Sequence, residues 1–480
     1  MTTTSETTTT GTTATGKATT ETTELWGVGA FGFPQGLLLV GEHDEVRADL
    51  AAGLLPSAWP EALRAHQLAH AGRLDEAAAA LVGDDPVSAY NRWVLDPELG
   101  DPATIRADLP EELAPIVDVV GYSTGQLDLP ALPSAEAACE VAALVWATLA
   151  TERLEAGDVP AALQLLDRAA ITAGPAVGLA GVLRGNHGTL LRDAGQRESA
   201  RAALDEAAQA LAGCTDLREA RAEILHHLGG LSHEDAVSGR GDARVLLHEA
   251  MSHYYDALLL VSEESSPELW AGLQLDLATA HLASPMTTAS DQLRLGVATQ
   301  ALRACRRVFT PETAPDAWSA ATLNLANALV YNPSTHQADN LVEAVELYEE
   351  ILVSGVREDD PSGMARLLAN QGNVLAHLGI PDQAKAKLVE ARYLFETQLD
   401  HDSALAVRGV LDEIAKAGVA EPDDSLEDLA RQAEQLAKMP QAETFTSGMG
   451  VRNQTAALGI DAMTPPKPKV TVLRPGQERP

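Results

Sequence analysis

The chain has 480 residues, 45% of them hydrophobic but only 4% aromatic, and a formal net charge of −35. The apolar share is mostly Ala, Leu and Val, which favours closely packed helices over sheets. So acidic a composition excludes nucleic acid and anionic membrane surfaces as partners, because both demand basic patches.

The first 24 residues contain 14 threonines. They cannot bury enough apolar surface to offset their ordering entropy, which predicts a disordered tail over 1–24. Residues 25–134 read as a divergent N-terminal helical region. Within it, Leu25 to Pro34 and Gly36 to Gly41 are apolar but punctuated by Gly and Pro. That predicts a short extended hairpin or an apolar strap lying on the helices, with an exposed docking segment as the alternative. Residues 45–95 return to helix, with a hairpin turn at 71–77. Pro97, Pro102, Pro110, Pro115, Pro130 and Pro133 then mark 96–134 as a connector holding one short helix, and as the boundary before a repeat array.

From 135 to 417 a pattern recurs. Trp146, Leu149 and Ala150 share one face of a first helix, Gly157 closes it, and Ala162, Leu166 and Ala169 form an i, i+4, i+7 stripe on a second. Gly188, Leu191, Gly195, Ala200, Leu204 and Ala207 repeat this, as do Gly372, Leu375, Gly379, Ala384, Leu388 and Ala391. Trp270, Leu275, Leu277, Ala278, Ala280 and Pro285 return as Trp318, Leu323, Leu325, Ala326, Ala328 and Pro333; Asp291 and Leu293 return as Asp339 and Leu341. That longer period predicts an insertion in each of those two turns. A sixth unit over 217–262 carries the stripe Ala250, Tyr254, Ala257 and a loop expected from Ser232 to Asp242.

This spacing resembles that of bacterial tetratricopeptide-repeat (TPR) proteins. The resemblance implies an all-α fold, a right-handed superhelical solenoid of antiparallel helix pairs whose first helices line a concave face. The sequence departs from the family at the eleventh position, where Arg153 or Leu replaces Tyr, and in the frequent loss of the helix-ending Pro.

Polar residues recur three apart on those first helices: Thr148 and Thr151, Asn186 and Thr189, Asp276 and Thr279, Asn324 and Asn327, Asn370 and Asn373. His227 falls at the same place in its unit. Asn can donate to and accept from an extended backbone at once, and in peptide-binding TPR proteins an Asn near this point resembles such a contact. The competing reading is that the ladder bridges neighbouring helices. The lysines of a carboxylate clamp are missing from this face, leaving Arg184, Arg192 or Arg366 as substitutes. The expected partner is a protein or peptide segment held in the groove by a non-catalytic adaptor or assembly factor. The alternatives are a regulatory sensor acting in trans on a signalling or transcription protein, or a metal-binding protein using the 226–256 histidine region. Homo-oligomerisation is left open.

No catalytic motif emerges. His248-Glu249-x-x-x-His253 is one residue too long for the zinc-protease spacing. Gly27-x-Gly29-x-x-Gly32 has dinucleotide-loop spacing without the strand and helix that motif requires. No cofactor or metal is expected. Cys139, Cys214 and Cys305 are too few and too far apart for a disulfide framework, which fits a cytoplasmic protein. Residues 418–480 are expected to comprise an acidic helix over 423–438 and a flexible basic tail with Lys467, Lys469, Arg474 and Arg479. The asymmetry between that tail and the acidic body suggests a segment able to occlude the protein's own groove.

Overall fold

The computed structural model describes residues 24–284, 291–332 and 336–417. The Thr-rich segment, Pro285 and Pro333, the acidic helix expected over 423–438 and the basic tail lie outside the described residues. Among those described there are nineteen α-helices and no strand. None is long and apolar enough to cross a membrane.

Six short helices open the chain: α1 (Asp44–Ala51), α2 (Arg64–His70), α3 (Leu74–Ala80), α4 (Pro86–Leu95), α5 (Pro102–Asp108) and α6 (Pro115–Ser123). The proline-rich connector therefore holds two helices, not one. Pro102 and Pro115 each take the first helical position, where no backbone N–H is needed, and the Asp101 carboxylate caps α5 by accepting from the Thr104 N–H at 3.0 Å.

Residues 25–41 form a strap, and the alternative of an exposed docking segment does not hold. Leu39 and Val40 are fully buried. Side chains from the helices beneath satisfy backbone groups of the strap. The carboxylate of buried Glu140 accepts from the Trp26 and Gly27 N–H groups at 3.0 and 2.8 Å. Asn91 accepts from the Leu39 N–H and donates to the Leu39 carbonyl, both at 2.8 Å. One amide side chain thus takes the place of a neighbouring strand.

Six antiparallel hairpins follow: α7 (Cys139–Glu155) with α8 (Val159–Thr172), α9 (Val177–Asp193) with α10 (Arg197–Ala210), and α11 (Arg218–Val237) with α12 (Ala243–Leu258). The remaining three are α13 (Pro267–Ala283) with α14 (Asp291–Cys305), α15 (Pro315–Tyr331) with α16 (Gln337–Ser354), and α17 (Pro361–His377) with α18 (Pro381–Thr397). A last helix, α19 (His401–Ala417), closes the array. From α9 onward each first helix touches the first helix of the next unit as well as its own partner, so the array is a helical-repeat solenoid.

The stripe at the heart of each hairpin is buried as the spacing demands. Leu166, Leu204, Tyr254, Leu302, Tyr348 and Leu388 occupy its centre in the six units. Opposite them, the twelfth residue of every first helix is small: Ala150, Gly188, Gly229, Ala278, Ala326 and Gly372. Without bulk there, the two helices close to contact. In α19 that position is Asp412, and only the face with Ala404, Val407 and Ile414 is buried. Its polar outer side suits the end of a solenoid.

Four hairpin turns use one device. Gly157, Gly195, Gly239 and Gly379 have φ between 68° and 78°, and the following N–H reaches back to close the helix, as from Asp158 to the Arg153 carbonyl at 2.8 Å. The loop expected over Ser232–Asp242 is shorter than its composition suggests. Helix α11 continues to Val237 because Gly239 is the first residue able to turn the chain, and Glu234 and Asp235 are held in helical register by Arg197.

Candidate partner-binding face

The ladder residues fall at the tenth and thirteenth positions of each first helix, in every unit. They are Thr148/Thr151, Asn186/Thr189, His227/Gly230, Asp276/Thr279, Asn324/Asn327 and Asn370/Asn373. The shared register follows from the common helix start and the common close approach at position twelve.

Their surroundings differ along the array. The Thr148, Thr151, Thr189 and Thr279 hydroxyls each donate to the carbonyl four residues earlier, at 2.8 to 3.1 Å. Those groups are engaged within their own helices. Asp276, Thr279, Asn324 and Asn327 are buried, between 0% and 5% exposed. There the ladder runs between units. The Asn324 amide donates to Thr279 Oγ1 at 3.4 Å, and the Asn370 amide to Asn327 Oδ1 at 3.2 Å. Asn327 Oδ1 also accepts from the buried Tyr348 hydroxyl at 2.6 Å. In this stretch the tenth residue of one unit binds the thirteenth of the unit before.

Asn186, Asn370 and Asn373 are half-buried. Asn186 and Asn373 make no side-chain hydrogen bond to the described residues. Asn370 retains its carbonyl oxygen. Exposed Arg366 lies one turn before Asn370 on the same helix face.

Around α11 the spine becomes ionisable. Arg192 Nη1 on α9 lies 2.7 Å from His227 Nδ1. His227 stacks on His226 with ring centroids 6.2 Å apart and planes 6° apart. His226 Nε2 is 2.7 Å from Asp276 Oδ2 on α13, and the edge of the Tyr254 ring closes over His226. Burial, Arg192 and His226 together push the His227 pKa well below its ordinary value. Burial also lowers that of His233, against the opposing pull of Asp276 and Glu234.

Sequence reasoning singled out Asp276 and noted His227, but it treated His226 as part of a histidine-rich region and missed its bond to Asp276, 50 residues on. Tyr348, which holds the spine from the second helix by donating to Asn327, was missed as well. The only signal was its place in the repeat. The rest of the histidine-rich region is taken up by arginines. Glu234, Asp235 and Glu249 pair with Arg197 and Arg201 at 2.6 to 3.4 Å. Among the described residues, no three His, Cys, Asp or Glu side chains are grouped to hold a metal ion.

No protein-family model matches the sequence, and no curated protein matches it. Among solved structures the chain is similar to one described as the crystal structure of the P58(IPK) TPR domain. The identity is 13%, the match covers 74% of this chain and 98% of that one, and the TM-score is 0.26. Helix order and packing, rather than that likeness, establish the helical-repeat solenoid.

Proposed function

We propose that this chain is a non-catalytic protein-binding adaptor or assembly factor that holds an extended partner segment against the first-helix face of its solenoid. The observation that carries the reading is the pair Asn186 and Asn373, amides at ladder positions with no hydrogen bond to the described residues and with solvent access. Asn370 and Arg366 extend this set on α17. The strap supplies the chemistry in miniature, since Asn91 grips both backbone groups of Leu39 in an extended segment. The buried members Asp276, Thr279, Asn324 and Asn327 support this face by tying α11, α13, α15 and α17 to one another. The negative charge of the chain suits a neutral or basic protein segment and opposes nucleic acid.

The test is affinity capture from the native cell with wild type and the double variant Asn186→Ala/Asn373→Ala, checked for unchanged helix content by circular dichroism. A partner retained by wild type and lost by the folded variant supports the reading. Recovery of the same partner at equal yield removes the first-helix face as the site.

A further inference from the structure

The spine that links first helices is built from amides and hydroxyls at one end and from ionisable groups around α11. An arginine guanidinium can only donate hydrogen bonds. With Arg192 Nη1 at 2.7 Å, His227 Nδ1 must therefore be the acceptor, which fixes the ring as neutral with its proton on Nε2. Arg192 is itself buried, and its other terminal nitrogen is committed to Asp193 at 3.1 Å. We infer that the joint between α9 and α11 is a proton-operated latch, closed while His227 Nδ1 is free to accept and opened when that nitrogen takes a proton.

The groups facing the pair determine the direction. Helix α9 presents Arg192 and Asp193. Helix α11 itself presents His226 and, one turn earlier, Glu223. Helix α12 offers the Tyr254 ring, whose hydroxyl has no hydrogen-bond partner among the described residues, and α13 offers Asp276, already bonded to His226. Helix α10 contributes Arg197, held by Glu234 and Asp235 further along α11, and Arg201, held by Asp235 and by Glu249 of α12. Asp276 accepts from His226 whether that ring is neutral or charged. His227 has no such acceptor. Its protonation sets two donors and two positive charges face to face at a part-buried contact, and Arg192 must move away. The low pKa that burial and Arg192 impose on His227 keeps the latch shut at neutral pH. Because the contact lies at a ladder position beside Asn186, opening changes the spacing of the two first helices that flank it. The inference stands apart from partner binding and is read without a partner.

Hydrogen–deuterium exchange on the full chain tests it, comparing pH 7.5 with pH 4.5 after correction for intrinsic rates. In wild type, peptides covering 183–195 and 222–232 should exchange at least tenfold faster in acid, with α15 and α17 unchanged. The variant His227→Gln keeps an acceptor for Arg192 but cannot titrate, so its peptides should lose the acid response. An equal acid response in both proteins, or none in wild type, overturns the latch. If His227→Gln does not fold, isotope-labelled histidine NMR on wild type decides between the same two outcomes. A His227 midpoint coinciding with the onset of exchange supports the latch, and one more than a pH unit away overturns it.

Discussion

Units 4 and 5 end their first helices differently from the other four, and the difference extends to their polar faces. In units 1, 2, 3 and 6 a left-handed glycine closes the helix. In units 4 and 5, Ser284 and Asn332 are extended, at ψ 133° and 110°, because each precedes a proline that forbids a helical neighbour. Most residues of those two first helices are buried, and their ladder pairs are closed off from solvent. Alanine and leucine are the commonest residues of both helices. Units 2, 3 and 6 instead leave Asn186, His227, Asn370 and Asn373 half-open. A single repeat pattern has thus been divided between holding the array together and presenting groups outward.

Acid should strike where the two classes meet. His281, near the end of α13, is buried against the Tyr255 hydroxyl of α12 at 3.0 Å. Burial, helped by Arg294, lowers its pKa from 6.5 to about 4. An unfolded chain therefore binds this proton more readily than the folded one between those values. Stability is complete above pH 6.5 and falls as pH drops towards 4, by on the order of 3 kcal/mol from this residue. Urea denaturation across that range should show the slope, and His281→Leu should flatten it. An unchanged slope in the variant would place the effect elsewhere.

The close approach inside the hairpins gives the next contrast. A Cβ added at Gly229 would run into the ring of fully buried Tyr254. A rigid ring cannot yield as a leucine end can, so Gly229→Ala should cost about 3 kcal/mol by overpacking. At the same position in unit 4, Ala278→Gly should cost only about 1 kcal/mol, the helix-propensity difference. Similar losses for the two variants would mean that unit 3 is no more tightly closed than unit 4.

How much of this could be read from the sequence depended on distance along the chain. The hairpins, their glycine turns and the ladder register were legible because each is set by spacings within one repeat. The two helices of the proline-rich connector were not, since proline at a first helical position looks the same in sequence as proline that prevents a helix. The α11 extension was hidden by polar residues that Arg197 and Arg201 compensate from another helix. Above all, the pairings of Asn324 with Thr279 and of His226 with Asp276 join residues 45 and 50 apart. Only the angle between successive units decides whether such side chains meet each other or a ligand.

That division predicts unequal results for chemically identical substitutions. Asn327→Ala removes the acceptor for the buried Tyr348 hydroxyl and for Asn370, and should cost about 2 kcal/mol. Thermal denaturation should show it, and adding Tyr348→Phe should recover part of the loss, because both halves of the bond are then gone.

Asn186→Ala should change stability least, within about 0.5 kcal/mol, since the amide has no hydrogen-bond partner among the described residues to abandon. The two substitutions delete the same amide at different rungs of one ladder. If Asn186→Ala proves as costly as Asn327→Ala, then Asn186 is bonded within the array, and the accessible rungs are no different from the buried ones. If it is neutral in stability yet weakens partner capture, the amide is held ready for a ligand, at a position where its counterparts in units 4 and 5 are consumed by the fold.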